Sequence, residues 1–363
     1  MADLFSPMSF AHGGPVMKNR FMLAPLTNSQ SHPDGVLSDD EFRWLTKRAE
    51  GGFGLTMTCA AHVQAVGQGF PGQLGVFGDQ HLAGLARLAA AIKANGSVSA
   101  LQMHHAGNRS PKDLVGTPVC PSDDPETGAR GLSLGEVEQL VEDFVAAAVR
   151  SEKAGFDGVE IHGAHGYILA QFLSPELNRR EDRYGGSVEN RARIVREIID
   201  GVRARVRPDF QLGLRLSPER FGLKLGEILE TTQAILSDGK IDYLDMSLWD
   251  VMKEPVEEEF QGRTLMSWFT ALERGQVRLG VAGKITSPAI ASEMLEKGAD
   301  YVLIGRAAIL HHDFPERSRD AAFTPTPLPV TAEYLRNEGL GPAFVKYMST
   351  WPGFVQAPET VEA

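Results

Sequence analysis

The sequence predicts an α/β protein built as a closed (β/α)8 barrel, the TIM-barrel architecture. Three observations point there. Eight short apolar segments recur along the chain. Helical patterns with start and stop signals lie between most of them. The GxGxxG turn that would mark a doubly wound dinucleotide fold does not follow the first strand. Strand–helix alternation implies parallel strands joined by crossover helices, and eight repeats imply closure.

The elements follow in order. Residues 20–26 (RFMLAPL) form the first strand, and Ser38-x-x-Glu41 opens a helix with Phe42 and Leu45 on one face. Residues 54–60 (GLTMTCA) form the second strand. Asp79 caps a helix carrying Leu82, Leu85, Ala86, Ala89 and Ile92, which closes near Asn95-Gly96. The third strand is 97–104. Ser133-x-x-Glu136 reads as a capping box ahead of Val137, Leu140, Val141, Phe144, Val145 and Ala148, with Gly155 as the stop. The fourth strand is 158–162.

The fifth, 211–217, alternates plainly. Leu212, Leu214 and Leu216 face the helices, while Gly213, Arg215 and Ser217 face the axis. Strands six, seven and eight are 243–248, 277–282 and 301–305. Ser287-Pro288 opens a helix that Gly298 ends. The irregular stretches 63–77 and 110–131 read as functional loops. Residues 1–320 make one barrel. Residues 321–363 make a tail with Phe344, Tyr347, Trp351 and Phe354, packed on the barrel or on a neighbouring subunit. A homodimer through this tail is the preferred expectation.

Composition narrows the function. The chain of 363 residues is 42% hydrophobic and 23% charged, as expected for a globular protein. No apolar run reaches the roughly 18–20 residues that span a bilayer, and no secretory signal is evident. A net charge of −11 argues against nucleic acid or an anionic membrane as partner. Cys59 and Cys120 lie far apart, which excludes a cysteine-ligated metal centre and fits a reducing cytoplasm. No metal site is expected.

In such a barrel, chemistry gathers where strands meet the following loops. Strand four ends in His162-Gly163-Ala164-His165-Gly166-Tyr167. One helical turn would put both imidazoles on one face. They would then hold one oxygen, ligate a metal, or serve as structural polar groups. Arg215 inside the barrel needs an acceptor, either an ion pair with Glu160 or an electron-rich ligand. Ala282-Gly283-Lys284 and Gly305-Arg306 close strands seven and eight, the usual place for phosphate in these barrels. Gln102 closes strand three, and of the adjacent His104 and His105 only one lines the barrel. Ala24-Pro25-Leu26-Thr27 follows strand one. Trp249, Phe70 and Trp268 read as packing first and pocket walls second, and the acidic stretch after Leu248 as a solvated loop.

The segment from Gly155 to Val195, GFDGVEIHGAHGYILAQFLSPELNRREDRYGGSVENRARIV, resembles the signature of the old yellow enzyme family of FMN-dependent ene-reductases. The likeness covers about the first 310 residues. It implies bound FMN, with NADPH or NADH as transient reductant. It implies that Ala24, Pro25, Leu26, Thr27 and Ala60 meet the flavin ring, with Gln102 and Arg215 on its polar edge. Ala282, Gly283, Lys284, Gly305 and Arg306 would take the phosphate. His162 and His165 would hold a substrate oxygen, and His162 also borders the cofactor. Hydride would pass through flavin N5 to Cβ of an activated alkene, and Tyr167 would protonate Cα.

Two positions depart from the family pattern. Asn108 stands where an arginine often follows HAG, with Arg109 next, and Thr27 stands where one subgroup has a cysteine. The alternatives are a metal-dependent barrel enzyme using His162 and His165, and a non-catalytic flavin-binding protein.

Overall fold

A computed structural model describes residues 3–320 and 322–357. Eight parallel strands close a barrel: β1 (Phe21–Leu23), β2 (Leu55–His62), β3 (Val98–His104), β4 (Gly158–Gly163), β5 (Gln211–Leu216), β6 (Tyr243–Ser247), β7 (Arg278–Ala282) and β8 (Tyr301–Ile304). Each pairs with its sequence neighbours, and β8 returns to β1 with Leu23 beside Ile304. The principal helices between strands are α1 (Asp39–Glu50), α2 (Leu82–Ala94), α3 (Leu134–Lys153), α4 (Val188–Arg205), α5 (Leu225–Asp238), α6 (Leu265–Thr270), α7 (Pro288–Glu296) and, after β8, α8 (Arg306–Leu310).

Strand one is shorter than its apolar run suggests. Pro25 has no N–H to donate to a ladder, so the chain leaves the sheet after Leu23. Ala24 to Thr27 therefore become loop above the strand ends. The Ser133–Glu136 capping box is present at α3. Asp79 does not cap α2. It opens a 3₁₀ turn, Asp79–His81, and its carboxylate pairs with Arg150 at 3.0 Å. At α1, Ser38 Oγ accepts from the Glu41 N–H, but the Glu41 side chain turns inward. It accepts from Asn28 Nδ2 at 3.1 Å and binds Ser31 Oγ and Cys59 Sγ, which ties down the loop after β1.

The leucines of β5 pack outward against the helices, and Gly213 and Arg215 point inward. Gly213 and Gly280 make room for two interior rings. A Cβ on either would lie 2.1 Å or 2.2 Å from the ring of Tyr243 or Tyr301. Phe10, from the N-terminal segment, packs tilted against Tyr243 at 5.4 Å and belongs with Met8 and Met17 to the barrel's inner core. The described part of the tail packs on its own barrel. Phe344 sits edge-on to Trp44 at 4.8 Å, and Arg48 Nη1 donates to the Glu338 carbonyl at 2.6 Å. Residues 358–363 lie outside the described residues. No described helix is long and apolar enough to cross a membrane.

Candidate active site

A cavity of 560 Å³ opens at the C-terminal ends of the strands, within the usual size range of ligand sites. Ala24, Pro25 and Leu26 form one wall. Ala282, Gly283 and Lys284 after β7, with Gly305 and Arg306 after β8, form another. Arg215, Ser247 and His165 close the side toward the axis, and Trp249 and Trp351 close the rim. A second cavity of 480 Å³ shares Lys284, Thr286 and Arg306. Thr27, Ala60, Gln102, His162 and Tyr167 are not in the first cavity's lining. His162 and Tyr167 stand just behind His165.

The two histidines do not share a helical turn. His162 ends β4, and His165 adopts a left-handed φ of 59° in the turn that follows. This geometry still brings them together, His165 Nδ1 lying 3.1 Å from His162 Nε2. The Ala164 N–H donates to His162 Nδ1 at 3.3 Å, so the His162 proton belongs on Nε2. His165 then accepts at Nδ1 and donates from Nε2 to Ser247 Oγ at 2.7 Å. Burial holds both imidazoles well below the usual histidine range, and each is also depressed by neighbouring charge from Arg215. Both are neutral at pH 7.

Tyr167 completes the group, its ring 5.2 Å from His162 and 4.4 Å from His104. Burial raises its pKa, Arg109 works against that, and Tyr347 of the tail adds to it. His104 and His105 are both buried, and only His104 faces the site. Asn108 does not reach the cavity. It is locked by Asp124 at 2.9 Å and Gln171 at 2.7 Å, which sends Arg109 over the Tyr167 ring at 4.8 Å.

Beneath the cavity lies a polar cluster. Arg215 Nε is 3.1 Å from Asp245 Oδ2, so its ion-pair partner is Asp245 and not Glu160. Glu160 instead accepts from Gln102 Nε2 at 2.7 Å. Two buried carboxylates thus lie near a single guanidinium that pairs with only one of them, and burial pushes both pKa values upward. Glu160 is pushed further, because the negative charge of Asp245 adds to its burial while Asp245 has the guanidinium beside it. Lys284 pairs with Asp250 at 2.8 Å, so part of its charge is spent. Arg306 has no carboxylate within 4 Å among the described residues.

The chain matches the NADH:flavin oxidoreductase / NADH oxidase family over residues 3–322. The chain belongs to that family. It is 37% identical over 319 residues to the probable NADH-dependent flavin oxidoreductase YqiG of Bacillus subtilis strain 168, covering 85% of each chain. It is 32% identical over 339 residues to an NADPH dehydrogenase of the same organism, covering 91% of this chain and 98% of that one. The solved old yellow enzyme homologue from Zymomonas mobilis superposes with a TM-score of 0.80 at 27% identity, covering 95% of this chain and 99% of that one. The protein is thus an NAD(P)H-dependent flavin oxidoreductase of the old yellow enzyme family, and its cofactor is FMN. Membership leaves the metal-ligand reading of the two histidines without support.

The residues suit this cofactor. Arg215 is 5% exposed and lines the cavity, so its guanidinium, anchored on Asp245 through Nε, sets a buried positive charge against an electron-rich ligand. A Cβ on Gly283 would come within 2.8 Å of the Trp249–Asp250 backbone, so only glycine holds this turn against the cavity wall.

Sequence reasoning missed Asp245, Ser247 and Trp351. Asp245 interrupts the apolar run YLDMSL, and Ser247 lies two residues on, on the same face. That alternation was the available signal. Trp249 is a pocket wall, 65% exposed. Trp268 instead packs on Phe260 and lies under Arg263. The acidic loop is folded rather than merely solvated, because Glu254 and Glu257 accept backbone N–H groups of Gly262 and Leu225.

Proposed function

We propose that this flavoenzyme reduces activated alkenes, with His162 and His165 binding the substrate's carbonyl oxygen and Tyr167 protonating Cα. The observation that carries the reading is the convergence of two neutral imidazoles and a protonated phenol beside the cavity, with ring centroids 5.0 Å to 6.4 Å apart. FMN, when bound, supplies the hydride carrier between NAD(P)H and the alkene. In this reading Ala24, Pro25, Leu26, Thr27 and Ala60 flank its ring, and Gln102 and Arg215 meet its polar edge. Ala282, Gly283, Lys284, Gly305 and Arg306 hold its phosphate.

The residues' own work follows from their protonation. The His162 Nε2–H leaves His165 and turns to the substrate oxygen. His165 turns its Nε2–H from Ser247 to the same oxygen. Two donors then meet charge that grows as Cβ is reduced, which stabilises the transition state more than the ground state. Tyr167 keeps its proton until Cα takes it. A non-catalytic flavoprotein has no use for this arrangement.

The same reading places the enzyme in a reducing cytoplasm, where Cys59 and Cys120 stay unpaired. It also expects a homodimer through the outer side of the tail, which sedimentation in solution tests. The decisive assay is anaerobic: reduce the holoenzyme with NADPH, add 2-cyclohexenone, and follow the flavin absorbance. Rapid reoxidation is expected. No reoxidation by an enone, a nitroalkene or a maleimide contradicts the reading.

A further inference from the structure

Backbone strain is concentrated around the cavity mouth. Six described non-glycine residues have positive φ; His165, Trp249 and Lys284 line the cavity, and Arg220, with Phe221 next to it, packs against Trp249. Left-handed backbone in bulky residues is costly and persists only where the surrounding structure over-determines it. His165 and Lys284 already have roles. Trp249 is a pocket wall, and Arg220 and Phe221 have no role so far.

What they build is a rim of aromatic rings and guanidinium groups. Arg220 Cζ lies 4.8 Å from the Trp249 ring and 5.8 Å from the Phe221 ring. Arg109 Cζ lies 4.8 Å from the Tyr167 ring and 5.9 Å from the same Phe221 ring. The two guanidinium groups therefore flank one phenyl ring. Gly166 keeps the approach open, since a Cβ there would fall 2.8 Å from that ring. The loop is pinned by Ser174 Oγ donating to the Gly222 carbonyl at 2.9 Å.

Neither arginine is neutralised. Among the described residues no carboxylate lies within 4 Å of either, in a chain with 47 acidic and 36 basic residues. The neighbouring Glu219 turns away, holding Lys253 and the Val256 N–H. Arg109 spends one Nη on the His165 carbonyl, and the residue is otherwise exposed.

We propose that Arg109 and Arg220 form a seat for a carboxylate carried by the alkene substrate, so that the enzyme prefers anionic activated alkenes. The inference rests on the alkene-reduction reading above. Arg109 touches both Tyr167 and the His165 backbone, so an anion seated on it lies beside the proposed proton donor. A guanidinium offers paired donors that match a carboxylate.

The test compares (E)-4-oxopent-2-enoate with its methyl ester in the holoenzyme, for wild type, Arg109→Gln, Arg220→Gln and the two lysine variants. The wild-type kcat/KM should favour the acid by about tenfold or more, as a charge-assisted contact gives. Rising salt should erode that preference. Each glutamine variant should bring the acid-to-ester ratio toward one, and lysine should restore part of it. An unselective wild type overturns the proposal. So do variants that keep the ratio while slowing flavin reduction by NADPH, because the arginines would then serve the dinucleotide's phosphates. If neither alkene is reduced, the function proposed above fails, and binding decides this proposal separately. Flavin absorbance is titrated with p-hydroxybenzoate and with its methyl ester. Selectivity for the anion that the glutamine variants lose supports the seat, and equal binding overturns it.

Discussion

Protonation of single residues governs both chemistry and pH response. His62, His104, His105, His162 and His165 are buried, and burial lowers the pKa of each. Below the ordinary histidine pKa of about 6.5, the unfolded chain takes protons that the folded chain refuses. Each such histidine then costs about 1.4 kcal/mol of stability per pH unit. Glu41, Glu160 and Asp245 act in the opposite sense, because their raised pKa values let the fold hold protons the unfolded chain has lost. His81 and His311 are depressed by burial in the same sense, and together these histidines outweigh the three carboxylates, so Tm should fall between pH 6.5 and about pH 5. Scanning calorimetry across that window checks it, and a flat profile contradicts it.

Glu160→Gln isolates one term. The wild-type fold loses stability as pH rises and Glu160 must ionise beside Asp245, whereas glutamine stays neutral. The variant's Tm should therefore gain on wild type as pH rises from about 5 to about 9. A constant Tm difference would place the buried proton elsewhere.

Elements were legible where one signal dominated. The β5 alternation and the Ser133–Glu136 box read directly from the sequence. Local pattern failed where a distant residue competed. Arg150 took the Asp79 carboxylate, and the buried Asn28–Ser31–Cys59 group took Glu41. The His162–His165 pair was found with the wrong geometry, because spacing of three suits a helix and nothing local shows that His165 turns left-handed. Asp245 was missed because its partner, Arg215, comes from the adjacent strand. At this scale the inward glycines carry a prediction. Gly213→Ala puts a methyl group into the Tyr243 ring and should cost about 3 kcal/mol or more, read as a lower urea midpoint. An unchanged midpoint would mean that the barrel interior is looser than this packing requires.

At the level of the whole molecule, the sequence foretold an aromatic tail but not where its rings go. Phe344 docks on Trp44, and this anchoring carries Tyr347 toward Tyr167 and Trp351 into the cavity wall. Phe344 and Trp44 are 300 positions apart and Tyr347 and Tyr167 are 180, beyond the reach of any local pattern. Phe344→Ala should cost about 3–5 kcal/mol and also loosen the cavity wall. Thermal melts with and without added FMN check both effects. A small loss of stability with unchanged FMN protection would show the tail to be a bystander.

If Tyr167 gives the proton, as proposed, reduction of the flavin should proceed without it. Rapid mixing separates the two half-reactions in Tyr167→Phe. Oxidation by 2-cyclohexenone should slow by about 10²-fold or more, while reduction by NADPH stays within about twofold of wild type. Equal slowing of both half-reactions, or of neither, would contradict the account.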